Sequence, residues 1–242
     1  MNESEQRGLG EFAPSDGGRP DAEAAVVAGD AGQTVSEVVD AADLKFPDSE
    51  GVVNLLVTQV DYSIEGNGAT EYPVVHIFGR TADNEQVHVR VLGMEPYFYV
   101  PTADIEGRAL TEEYDAILDT RDEAPNGDRF QSIRGKPLTK VVGRTPRDVG
   151  QIRDDFDEHY EADILFPNRF LIDKDVSSGL QVPERRLEDG RIQVRYDDEE
   201  LVAVDAPAEA ELRVNMFDIE VDDRSGFPEE GEEPIVCLTS HD

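Results

Sequence analysis

The chain has one cysteine, Cys237, so it forms no internal disulfide and suits a reducing compartment. Lysine is scarce: four among 22 basic residues, against 55 Asp plus Glu, for a formal charge of -33 at pH 7. No apolar run approaches the roughly 18 residues of a membrane span. The N-terminus carries acids where a secretion signal needs bases and then an apolar core. These absences point to a cytoplasmic protein with no membrane contact and no disulfide-linked partner.

What is present is acid, and so much of it reads as adaptation to a very salty interior, where screening removes most of the self-repulsion. An acidic disordered chain is excluded over most of the length, because Val, Ile, Leu, Phe and Tyr recur in strand-like runs. The 242 residues give room for one large or two ordinary domains. The fold class expected is α+β.

Residues 1–45 are rich in Gly, Ala, Asp and Glu and read as a disordered acidic tail. Within it Thr34 and Glu37 make a capping-box pattern ahead of Val35, Val38, Val39 and Ala42, which predicts one short helix. From Val52 the texture is strand: "VVNLLVTQVDYSI", then "YPVVHIFGRT" and "QVHVRVLG" joined by a hairpin at "ADNE", then "EPYFYVPT" between prolines. Leu110, Tyr114, Ile117 and Leu118 have helical spacing, "KPLTKVV" reads as a strand, and Thr145-Pro146 starts a helix with Val149, Ile152 and Phe156 on its inner face. "ILFPNRFLID" returns to strand texture. The expected division is a mixed, β-rich domain over 46–176, a polar acidic connector over 177–211, and a separate unit beginning within 212–242.

Two local features suggest chemistry. Between residues 134 and 153 lie six bases, Arg134, Lys136, Lys140, Arg144, Arg147 and Arg153, and one acid, Asp148. In so acidic a chain this window fits contact with a DNA or RNA backbone, and it equally fits ordinary surface ion pairs. Tyr97, Phe98, Tyr99 and Phe166 are candidates for base stacking, although strand alternation leaves Tyr97 and Tyr99 on one face and Phe98 on the other. The second feature is "RVNMFDIEVDD", where period two puts Val214, Met216, Asp218 and Glu220 on one face of a strand. The tripeptide Asp-Ile-Glu alone means little, since it recurs at Asp104–Glu106. Its apolar strand context differs, and two carboxylates on a rigid strand suit a two-metal site built from oxygen ligands.

"MFDIEVDDRSGFPEEGEEPIVCLT" resembles the first exonuclease motif of family B DNA polymerases. "VDYSIEG", "YPVVHIFGRT", "EPYFYVPT", "GKPLTKV", "TPRDVGQIRDDF" and "ILFPNRFLIDKDV" resemble, in order, pieces of the N-terminal domain of the archaeal type. The similarity runs over roughly residues 52–242 and fits a halophilic archaeal source. It implies a template-binding domain over 46–176, followed from 212 by the first two strands of a ribonuclease H-like 3′–5′ exonuclease domain. It makes Asp218 and Glu220 catalytic ligands of Mg2+ or Mn2+. The family's remaining ligands and its polymerase carboxylates lie in later motifs, so the chain alone is expected to be inactive and to hold no metal tightly.

The same resemblance maps a pocket for deaminated template bases onto Tyr62, Pro96, Tyr97, Lys140 and Phe166. Leu165 stands where the pattern often has Pro, and Lys140 where a small aliphatic is common, so a long cation would narrow the pocket or contact the strand. Gln6, Leu9 and Phe12 resemble a sliding-clamp docking peptide, with Ala13 where a second aromatic is usual. The function implied is the N-terminal portion of a DNA-directed DNA polymerase acting in replication on template and single-stranded DNA. The alternative is a stand-alone single-stranded DNA-binding module without catalysis. A small complete exonuclease is disfavoured for want of a later acidic strand.

Overall fold

Alternating apolar and polar residues make Val52–Glu65 a 14-residue strand, β1, around which the largest sheet is built. The computed structural model describes residues 34–42, 44–207, 210, 214–222 and 235–241. Strands β2 (Tyr72–Arg80) and β3 (Gln86–Leu92) follow β1 as an antiparallel meander, closed at Thr81–Glu85 as the "ADNE" turn predicts. The register of β1 against β2 slips between Val57 and Gln59, a bulge at which Thr58 Oγ1 donates to the Phe78 carbonyl at 3.0 Å. Gly79 lies across from this bulge, and a Cβ there would come within 2.7 Å of the Leu56 carbonyl oxygen.

A second sheet of three strands has the order β4-β6-β5, formed by β4 (Tyr97–Pro101), β5 (Ile117–Arg121) and β6 (Leu138–Gly143). The short helix α2 (Leu110–Glu113) and helix α3 (Pro146–Ile152) pack on one side of it. Thr145 caps α3 through a full capping box with Asp148, with Pro146 at the start of the helix, as the sequence predicts. Phe98, Val100, Val141, Val149, Ile152 and Phe156 form the core between them.

Four expectations need correction. The spacing of Leu110, Tyr114, Ile117 and Leu118 is not one helix: α2 stops at Glu113, and Ile117 and Leu118 open β5. These neighbours enter different cores, Ile117 with Phe98 and Leu118 with Tyr72, and opposite faces are what a strand provides. "ILFPNRFLID" is not a strand either, since Phe166–Asp173 form helix α4. Pro167 falls in the first turn, where a missing N–H costs nothing, and the i,i+4 pair Phe166 and Phe170 enters the main core together.

The supposed connector over 177–211 is three more strands of the main sheet, β7 (Gly179–Pro183), β8 (Ile192–Arg195) and β9 (Val202–Val204), giving the order β8-β3-β2-β1-β7-β9. Its acids crowd the turns, whereas Leu180, Val182, Ile192 and Val194 are fully buried. The tail also ends sooner than expected. Thr34 caps helix α1 (Val35–Ala41), as its sequence predicts, and Val35, Val38 and Val39 are buried against Tyr72, Val74, Leu92 and Leu118. Residues 1–33 lie outside the described residues.

The main core thus lies on one face of the six-stranded sheet, under α4, and α1 covers one end of the other face. No helix among the described residues is long and apolar enough to cross a membrane. Phe170 is fully buried, so Phe170→Ala is expected to cost about 3–5 kcal/mol in a denaturant titration. Loss of the α3 cap in Thr145→Ala should cost about 1 kcal/mol in the same titration.

Candidate nucleic-acid interface

The Asp-Ile-Glu segment forms a strand, β10 (Met216–Val221), paired antiparallel with β11 (Ile235–His241) as a two-stranded sheet. Asp218 lies opposite Thr239 and Glu220 opposite Cys237, with a register slip just after Glu220. Two residues apart on one strand, the carboxylates share a face, and both are exposed. Asp218 Oδ1 accepts from the Ile219 N–H at 3.0 Å. The donor chemistry suits a hard divalent cation. The number of donors falls short: among the described residues, no three His, Cys, Asp or Glu side chains come together as a metal site.

The basic window is more engaged than its charge suggests. Lys136 pairs with Glu158, and Arg147 with Glu71 at 3.4 Å. Arg153 pairs with Asp163 and, at 3.5 Å, with Asp154. Arg144 donates to the carbonyls of Ala69 and Asp115, the latter at 2.8 Å. Lys140 Nζ sits 3.7 Å from the centroid of the Tyr97 ring. Among the described residues Arg134 makes no hydrogen bond or ion pair. The six cations therefore do not form one free patch: three pair with acids, Arg144 with carbonyls, and Lys140 lies on a ring.

The residues mapped to the template-base pocket come together as two pairs. Tyr62 of β1 meets Phe166 edge-on, with ring centroids 5.5 Å apart, and Tyr97 of β4 carries Lys140 of β6 on its ring. Pro96 leads into β4, and its carbonyl accepts from the Gly143 N–H at 2.9 Å at the end of β6. Helix α4 joins the pairs: Phe166 begins it, and Asp173 at its end accepts from the Tyr97 hydroxyl at 2.9 Å. Arg169 of α4 sits 4.5 Å from the Tyr97 ring centroid, so this aromatic faces two cations.

Burial shapes the charges here. It pushes the Lys140 ammonium below its usual pKa, against the pull of Glu95. It raises the Asp173 carboxyl, a shift that the Tyr97 hydroxyl and Arg169 oppose. The Tyr97 phenol is raised by burial and then by Asp173. Sequence reading missed Arg169 and Asp173, because their i,i+4 relation exists only once 166–173 is a helix. It also missed a polar row on the open face of the main sheet, where His76 Nε2 and the Ser63 hydroxyl are 2.8 Å apart and His76 Nδ1 and His88 Nε2 2.9 Å.

Known proteins resemble this chain in sequence and in fold. Residues 158–240 match the model of the DNA polymerase family B exonuclease domain. The chain is 24% identical over 212 residues to the DNA polymerase delta catalytic subunit of Schizosaccharomyces pombe, aligning 69% of this chain and 19% of that protein. It is 28% identical over 154 residues to a DNA polymerase of Archaeoglobus fulgidus, aligning 60% of this chain and 19% of that protein. The structure of the family B DNA polymerase from Pyrobaculum calidifontis superposes with a TM-score of 0.54 at 25% identity, covering 77% of this chain and 25% of that one. The chain is thus similar to family B DNA polymerases, with the family's exonuclease-domain model matching residues 158–240. It spans about a fifth of the length of the curated relatives it matches.

Removing the Asp173 charge should lower the pKa of Lys140 further, because Asp173 favours the ammonium form. A side-chain NMR titration of Asp173→Asn against the native chain checks this. Between the folded value of Lys140 and 10.5 the unfolded chain binds the extra proton. Stability relative to Lys140→Met should therefore rise with pH across that window.

Proposed function

We propose that these residues serve a DNA-directed DNA polymerase acting in replication. They would bind the template strand and contribute the opening strands of its ribonuclease H-like 3′–5′ proofreading exonuclease. The observation that carries this reading is the placement of Asp218 and Glu220 on one face of β10 within the segment matching the family B exonuclease model. The two carboxylates would supply part of a Mg2+ or Mn2+ site, whose ions activate water and stabilise the departing 3′ oxygen. Composition supports a halophilic archaeal source.

By itself the chain is proposed neither to degrade nor to synthesise DNA, since a two-metal site needs more ligands than Asp218 and Glu220 supply. Incubated with labelled single-stranded DNA and Mg2+ or Mn2+, it should release no nucleotides. Metal-dependent release that disappears in Asp218→Ala would overturn this.

On the template side, Tyr62, Pro96, Tyr97 and Phe166 are proposed as the pocket for a deaminated base, and Lys140, which lies on the Tyr97 ring, would narrow it. Lys140→Val should strengthen binding of a uracil-containing oligonucleotide relative to its thymine counterpart by several-fold, since one well-placed polar or stacking contact is worth about 1–3 kcal/mol. Equal affinities in native chain and variant, measured by fluorescence anisotropy, would remove the pocket from the reading. Gln6, Leu9 and Phe12 lie outside the described residues and are proposed as a clamp-docking peptide on their sequence alone. A stand-alone strand-binding module is less well supported, because five of the six cations in the basic window are already engaged.

A further inference from the structure

Between β5 and β6 the chain makes a long excursion that ends in a tight turn. The Ser132 N–H donates to the Lys136 carbonyl at 2.9 Å and the Lys136 N–H to the Ser132 Oγ at 3.1 Å, the Gly135 N–H donates to the Ser132 carbonyl at 2.8 Å, and Gly135 takes a φ of +79° that suits glycine. Phe130 is fixed by backbone bonds to Asp122 at 3.0 Å and Leu138 at 3.0 Å. This holds the turn beside the edge strand β4, to which Tyr160 is also tied by two backbone bonds with Tyr99, at 2.8 and 3.0 Å.

A cleft of about 570 Å3 opens between these parts, lined by Tyr99, Phe130, Ile133, Arg134, Leu138 and Tyr160. Three of those side chains are aromatic, with the Tyr99 and Phe130 ring centroids 5.2 Å apart. Ile133 is completely exposed at 108%. Among the described residues the side chain of Arg134 beside it, like that of Lys140, makes no hydrogen bond or ion pair, but unlike Lys140 it lies on no aromatic ring, and its charge reaches Tyr160. The acid in the lining, Glu161, is bonded to Arg169 at 2.6 Å, so its charge is already paired. Tyr99 meets Tyr97 edge-on at 5.5 Å, so the cleft adjoins the mapped base pocket without sharing its residues.

We propose that this cleft takes an unpaired nucleotide of single-stranded DNA, the base against Tyr99, Phe130 and Tyr160 and a phosphate against Arg134. The proposal rests on the strand-binding reading above and adds a second base site to it. Half-buried rings on a rigid edge offer stacking without sequence preference. A free guanidinium at the lip offers the charge that a phosphate requires. Ile133 extends the apolar wall outward, which accounts for so exposed a large aliphatic.

The test is fluorescence anisotropy of a labelled oligothymidylate with the 242-residue chain over a KCl series, comparing native protein, Phe130→Leu and Arg134→Ala. Phe130→Leu should weaken binding about 5-fold or more through lost stacking. Arg134→Ala should weaken it and reduce the slope of log affinity against log salt by about one. Arg134 is exposed and without a partner, so its variant keeps the fold. A 2-aminopurine in the strand should be quenched by the native chain and less so by Phe130→Leu. Native binding with both variants within twofold of it overturns the cleft site, leaves strand binding intact and hands the cleft to an apolar peptide. Failure of the native chain to bind at any salt concentration overturns both readings.

Discussion

A buried guanidinium has to be paired, and Arg169, with its side chain only 5% exposed, dictates much of what surrounds it. It donates to the Glu161 carboxylate at 2.6 Å and to the Glu161 carbonyl at 3.0 Å, reaches the Tyr97 hydroxyl at 3.3 Å and lies 3.9 Å from Asp173. Those partners come from the loop before α4, from β4 of the small sheet, and from the end of α4 itself. The same helix sends Phe166 and Phe170 into the core of the large sheet. One helix thus fastens the two sheets, by apolar packing on one side and a satisfied polar network on the other. Through Phe166 and Asp173 the same helix touches both Tyr62 of the large sheet and Tyr97 of the small one.

The charge of the chain works against that surface. With 55 acids and 22 bases in the chain, most cations among the described residues find a carboxylate or a carbonyl nearby, and a cluster of bases in sequence becomes a set of separate contacts in space. Each exposed pair contributes little to stability, about 0–1 kcal/mol. Their consequence is for binding, because a cation already paired must lose a partner before it neutralises a phosphate. Within the basic window Arg134, Lys140 and Arg144 make no ion pair with an acid among the described residues; Arg144 is held by carbonyls and Lys140 lies on Tyr97, so Arg134 is the least engaged of the six.

The strands of the first meander and the capped starts of α1 and α3 were legible in the sequence, because alternation, capping boxes and Thr-Pro act locally. What escaped it was set by tertiary context. The segment Phe166–Asp173 has apolar residues enough for either periodicity, and the core beneath β1 selects the helix. The acidic stretch 177–211 hides β7 and β8 because only their alternate residues needed to be apolar, and the turns between them hold the acids. Asp218 and Glu220 were legible as a strand-borne pair. Arg169 and Asp173 were not, since a helical spacing cannot be read in a segment taken for a strand. Arg134 stood out only as one base among six until the others were seen to be occupied.

The carboxylate pair adds a physical constraint of its own. In β10 and β11, Met216, Phe217, Ile219, Ile235, Val236 and Leu238 are between 46% and 69% exposed, so apolar residues are bare along both strands. A two-stranded ribbon is marginal in water, and bare apolar surface of this kind marks a face made to be covered. Covering it would also set how Asp218 and Glu220 converge, because a metal site demands positions fixed to a fraction of an ångström and an uncovered ribbon does not fix them. A metal bound at this pair would therefore be coupled to the packing of the strands that carry it. The Tyr97 ring of β4 differs: α4 and the buried Arg169 already fix it.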